Sequence, residues 1–85
     1  MFLEILTPQK KAFSGEVKLV KVPGSNGSFE ILRNHAPIIS VLEKGQLKLI
    51  TSDDQTQYFN VDNGVVQVAD NKVIVLVETL SDESL

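Results

Sequence analysis

The chain contains no cysteine and no tryptophan. Without thiols there is no disulfide framework and no thiolate metal site. A secreted domain this small would need such staples, so the composition favours a cytosolic setting. Histidine occurs once, at position 35. One histidine with Asp53 and Asp54 on a separate hairpin does not supply the ligand set that a metal needs. Basic residues are scattered, the formal net charge is −3, and Lys10-Lys11 is the only adjacent basic pair. That argues against nucleic acid, whose phosphates call for a basic patch. Long apolar runs are missing too: Val73-Ile74-Val75-Leu76-Val77 falls far short of the roughly 20 residues that span a bilayer. The opening Met1-Phe2-Leu3-Glu4-Ile5 puts an acid where a signal peptide wants basic residues. Any membrane association is therefore expected to be indirect, through a partner.

What is present is a hydrophobic content of 42% in 85 residues, enough for one domain. Residues 1–80 read as that domain, and 81–85 as a polar, acidic, frayed tail. No stretch has helical apolar spacing. Two-residue alternation recurs instead, punctuated by Gly, Pro, Asn and Asp. Strands are expected over 2–7, 15–22, 29–31 and 38–42, with hairpins 46–51/56–61 and 64–69/72–79. Pro23-Gly24 is expected to stop the second strand, and Asn26-Gly27 to turn the chain. In the last hairpin a two-residue turn at Asp70-Asn71 pairs Val68 with Val73, Val66 with Val75, Val65 with Leu76 and Gln67 with Ile74. Both of its faces are largely apolar, which predicts a place at the centre of the core. In the middle hairpin, a two-residue loop at Asp53-Asp54 would oppose Leu49 with Tyr58. An odd loop, pairing Leu49 with Phe59 and Leu47 with Val61, is expected instead. The fold class is all-β: an antiparallel sandwich or flattened barrel of about ten short strands.

The chemistry-bearing residues are few. His35 has Ser28 and Ser40 nearby in sequence, but there is no nucleophile elbow and no third group to orient it. The preferred reading is a loop or interface histidine, with no catalytic residue in the chain. Gly24-Ser25-Asn26-Gly27 lacks the lysine and helix of a phosphate loop and reads as turn geometry. Lys10-Lys11 reads as solvated surface. The apolar residues Ile31, Leu32, Ala36, Pro37, Ile38 and Ile39 are too many to tuck under a short loop, so part of this segment is expected to form an exposed docking patch.

The order of these pieces resembles the epsilon subunit family of F-type ATP synthase. Leu3-Glu4-Ile5-Leu6-Thr7-Pro8 is similar to the family's opening strand, and Phe13-Ser14-Gly15-Glu16-Val17 to its second motif. Pro23-Gly24, Gly27 and His35-Ala36-Pro37 match its central loop, and Gly45-Gln46-Leu47 its exit. Asn63-Gly64-Val65-Val66-Gln67-Val68 and Lys72-Val73-Ile74-Val75-Leu76 match the final hairpin. The resemblance implies a non-catalytic, cofactor-free rotor subunit in a proton-translocating complex, a sandwich that links the gamma subunit to the c-ring. It would be present as one copy per complex, be monomeric when isolated, and sit peripherally on the cytoplasmic face of a bacterial cell membrane. It further implies a c-ring interface at Ser28, Glu30, Arg33 and Asn34, and a gamma interface at Thr7, His35 and Val41. Ser28 stands where the family often has an acid and Glu30 where it often has glycine, so any charge pairing with the ring is expected from Glu30. Arg33-Asn34 replaces a usual Pro-Gly. Most members continue into two helices that brake ATP hydrolysis. This sequence stops at Leu85; its polar, acidic ending looks more like a true tail than a cut within a helix, and a natural end and a trimmed chain both stay open. Two rival readings are a free-standing β-sandwich module that binds a protein or a sugar, and a small hydrolase using His35.

Overall fold

The structure is a computed structural model and describes residues 1–82. Seven strands form: β1 (Phe2–Leu6), β2 (Lys11–Gly24), β3 (Gly27–Leu32), β4 (Ile38–Leu42), β5 (Gly45–Thr51), β6 (Thr56–Ala69) and β7 (Lys72–Asp82). They close into a two-layered sandwich because three strands are long enough to serve both layers. One layer holds β3, the second half of β2, β5, the first half of β6 and the end of β7. The other holds β4, the second half of β6, the first part of β7, β1 and the first half of β2. Seven strands with three counted twice give ten segments. The pairing is not wholly antiparallel, however: β1 lies parallel to β7, with Leu3 opposite Val73 and Ile5 opposite Val75. No helix is long and apolar enough to cross a membrane among the described residues.

Crossing between layers changes which residues face inward. In β2 the pairing slips between Val17 and Leu19, and the buried set moves from Val17 to Val20 and Val22. In β6 the buried set moves from Phe59 and Val61 to Val66 and Val68, across Asn63, whose φ is 49°. Gly64 completes that corner: a Cβ there would run into the Leu76 carbonyl oxygen and the Val77 side chain. Between these corners the alternation is regular. The interior is filled almost wholly by aliphatic side chains, including Leu3, Ile5, Ile31, Leu42, Leu47, Leu49, Val73 and Val75. No charged or polar side chain is buried among the described residues.

Several expectations need correction. Pro23 and Gly24 do not end β2; they stay in the ladder, opposite Ser28 and Gly27. The turn is Ser25-Asn26, and Gly27, at φ 119°, is the residue that uses glycine's freedom. The strand also starts earlier, at Lys11, because Phe13 to Glu16 pair with β1. The middle hairpin does have an odd loop, and Leu49 does not oppose Tyr58. Its register, though, sets Leu47 against Phe59 and Leu49 against Gln57. That is a slip of two residues from the expected pairs, which leaves every face unchanged. The Asp70-Asn71 hairpin has the expected pairs, with φ of 52° and 61° at its two turn residues. Its second face is not core: Gln67 and Leu76 are exposed and Val65 and Ile74 only half-buried. β7 continues through Ser81 and Asp82, which pair with Asn60 and Phe59. The rest of the expected tail, residues 83–85, lies outside the described residues.

Candidate docking surface

No reacting constellation forms around His35. Its Nδ1–H donates to the Ala36 carbonyl oxygen at 2.7 Å, and its backbone N–H donates to the Leu32 carbonyl at 3.1 Å. The imidazole is thus spent on holding the turn that carries the chain from β3 to β4. Ser40 lies within β4, opposite Val66, and Ser28 within β3, opposite Pro23, so neither is presented to the histidine as a nucleophile. Asp53 and Asp54 form an exposed loop tip. There Asp54 adopts φ 64° and accepts a 2.6 Å hydrogen bond from Lys18 Nζ. Among the described residues no group of three metal-ligating side chains comes together.

The outer face of the β4–β6–β7–β1 layer is a different matter. Cross-strand register places Val41, Val65, Leu76 and Leu6 in one row, and Ile39, Gln67, Ile74 and Glu4 in the next. Ile39 is 74% exposed, Val41 61% and Leu76 44%. The second apolar face of the last hairpin is this surface, not a second core. Contiguous exposed apolar residues of this kind are the usual makings of an interaction surface. At one end a groove of about 410 Å³ is lined by Leu6, Thr7, Asn63, Leu76 and Glu78 among others. At the other end the patch closes in charge. Glu4 pairs with Lys11 at 3.1 Å and with Lys72 at 3.9 Å, while Lys72 lies over the Phe2 ring. Lys11 is therefore an ion-pair partner, while Lys10 is exposed beside it.

The three positions expected at a gamma interface all border this face. Val41 lies in its first row. Thr7 follows Leu6 and caps its turn, its Oγ1 accepting from the N–H groups of Gln9 and Lys10. His35 sits beyond the start of β4, near the β6–β7 turn, where the Asn34 N–H donates to Asn71 Oδ1 at 2.9 Å. The four positions expected at a ring interface do not gather. Ser28 and Glu30 lie along the edge strand β3, while Arg33 and Asn34 are in the turn beyond it. Ser28 and Arg33 are five positions apart, about 16 Å at strand rise. The exposed docking segment is partly as expected: Leu32, Ala36, Pro37 and Ile39 are exposed, Ile38 is half-buried, and Ile31 is core. Sequence reasoning missed Leu6, Val65, Ile74 and Leu76 as surface residues. For Val65, Ile74 and Leu76 the signal was the apolar character of both parities in the last hairpin; Leu6, on β1, had none.

Residues 1–82 match the model of the family described as the β-sandwich domain of the ATP synthase delta/epsilon chain. The chain belongs to that family. It is 43% identical over 79 residues to an ATP synthase epsilon chain of Chlorobaculum tepidum, covering 93% of this chain and 90% of that one. It is 37% identical over 78 residues to an epsilon chain of Protochlamydia amoebophila, of which it spans 53%. Among solved structures, a chain in the central stalk/c-ring of the Tetrahymena thermophila mitochondrial ATP synthase superposes with a TM-score of 0.82 at 25% identity. That match covers 96% of this chain and 66% of the other. A chain of the Euglena gracilis mitochondrial enzyme gives 0.88 at 16% identity, over 94% of this chain and 51% of that one, which speaks to fold. This is a stalk-type subunit, not the catalytic part of the complex.

Proposed function

We propose that this chain is a rotor subunit of the central stalk of an F-type ATP synthase, and that its apolar outer face is where the gamma subunit docks. The single supporting observation is the row Val41–Val65–Leu76–Leu6. It is a continuous apolar strip on a family member that has no catalytic constellation among its described residues. Burying such a strip favours association in proportion to the area covered. A rigid sandwich with corners pinned at Asn63-Gly64 resists the shear that a turning shaft applies. Val41 lies in the strip and Thr7 follows Leu6 at its end; His35, near the β6–β7 turn, is away from the strip, and its assignment to this contact rests on the family resemblance alone.

The β3 edge, with Ser28, Glu30, Arg33 and Asn34, is assigned to the ring of c subunits. Glu30 carries the charge pairing, a rim contact worth about 0–1 kcal/mol. Within a membrane-associated complex, the subunit is assigned to the cytoplasmic face of a bacterial cell membrane, one copy per rotor. The test is co-purification with gamma. The double variant Ile39→Asp/Val41→Asp should keep its β-sheet circular dichroism yet lose the complex. Retention equal to the unsubstituted chain would refute the assignment.

A further inference from the structure

The opposite outer face carries a feature that docking through the apolar strip leaves unused. Lys21 on β2 and Lys48 on β5 are direct cross-strand partners, and both side chains point outward between buried neighbours. Like charges directly opposite each other destabilise a sheet. Lys44, at the end of the β4–β5 connection, lines the same groove of about 500 Å³. Of the eight basic residues, Lys11, Lys18 and Lys72 are paired with carboxylates. Three of the remaining five line this one groove. Glu30 is Lys21's other cross-strand neighbour and Glu43 stands on the rim. Among the described residues, neither makes an ion pair with the three ammonium groups. The groove also has Tyr58, next to Lys48 across the ladder, as a hydroxyl donor. Its floor runs past Gly24 and Gly45, where side chains would collide with Phe29 and Pro23.

We infer that this groove binds a phosphate group, held by the Lys21, Lys44 and Lys48 ammonium groups with the Tyr58 hydroxyl. Lysine ammonium groups are compact point charges suited to phosphate. A bound phosphate anion would turn a mutually repelling lysine pair into a mutually satisfied one. The phosphate is either soluble or the headgroup of an anionic lipid; the chemistry of recognition is the same. The inference stands apart from gamma docking, which uses the other face, so either can fail alone; Ser28, assigned above to the ring contact, lines the same groove.

The experiment is an amide-resolved NMR titration of the 85-residue chain with inorganic phosphate, against sodium chloride at matched ionic strength. Saturable shifts at Lys21, Lys48 and Tyr58, at least tenfold weaker in Lys21→Gln/Lys48→Gln, support the site. A second arm uses vesicles of phosphatidylglycerol or of phosphatidylcholine. Co-sedimentation with the former alone, lost in the double variant, assigns the lipid source. Phosphate saturation without co-sedimentation assigns the soluble one. Circular dichroism and a melting temperature at or above that of the unsubstituted chain show that the variant folds. Shifts that follow ionic strength alone, or that survive the double substitution, together with no selective co-sedimentation, overturn the inference.

Discussion

The two outer faces of this sandwich share strands but differ in chemistry. On the β4–β6–β7–β1 side, the outward rows are Val41, Val65, Leu76 and Leu6, then Ile39, Gln67, Ile74 and Glu4. On the β3–β2–β5–β6 side, one outward row is Glu30, Lys21, Lys48 and Tyr58, and the row beside it is Leu32, Leu19, Ile50 and Thr56, so charge is confined to one end of that face. Both are built from the same long β2 and β6, whose corners swap inward for outward. The interior does not distinguish the two layers, since both contribute aliphatic side chains to one core. The difference therefore lies wholly in what each layer turns outward. An interaction protein is recognised here by an asymmetry of surface, where an enzyme would be recognised by a constellation within a cleft.

That contrast can be broken in graded ways. The largest effect is expected inside, where neither face matters. Leu47→Ala leaves a cavity beside Phe59 and should cost about 2–5 kcal/mol of stability by urea denaturation. A cost below that range would mean the core is looser than its burial indicates. Gly64→Ala should follow at about 1–3 kcal/mol, because the added methyl meets backbone at the β6 corner. If it were tolerated without loss, the corner would not be pinned.

The next test separates the faces themselves. Leu76→Ala should change the free chain's stability by less than about 1 kcal/mol but weaken gamma binding by about 1–3 kcal/mol, measured calorimetrically. Lys48→Gln should do neither. If the two substitutions had equal effects on binding, the asymmetry would be cosmetic. Smallest of all is Glu30→Lys, expected to shift ring affinity by only about 0–1 kcal/mol and to leave gamma binding unchanged. A large loss of assembly from that substitution would move the charge contact from the rim to the centre.

Much of the fold was legible because the alternation is strong. The last hairpin was readable to the residue, since Asp70-Asn71 tolerate positive φ and the flanking valines fix the register. The middle hairpin was readable only in parity. Leu47, Leu49, Phe59 and Val61 demand one face, but two registers separated by two residues satisfy that demand equally. The parallel β1–β7 pair left no local trace, because no turn connects those strands. Strand corners were also hidden. Nothing near Val17-Lys18-Leu19 announces a bulge, and Asn63-Gly64 reads as easily as a loop. The docking face was half visible: Ile39 stood out beside Pro37 and Ile38, whereas Val65 and Leu76 passed for core because apolar residues on both faces look alike for a buried strand and for an interface strand. The lysine groove could not be read from spacing, since Lys21 and Lys48 lie on strands that only tertiary pairing brings together.

The most direct measurement is side-chain radical footprinting of the chain, free and in complex with gamma. The account predicts strong protection of Ile39 and Leu76 on assembly, with Tyr58 on the other face as reactive as before. Protection of Tyr58 with Ile39 and Leu76 unchanged would contradict it.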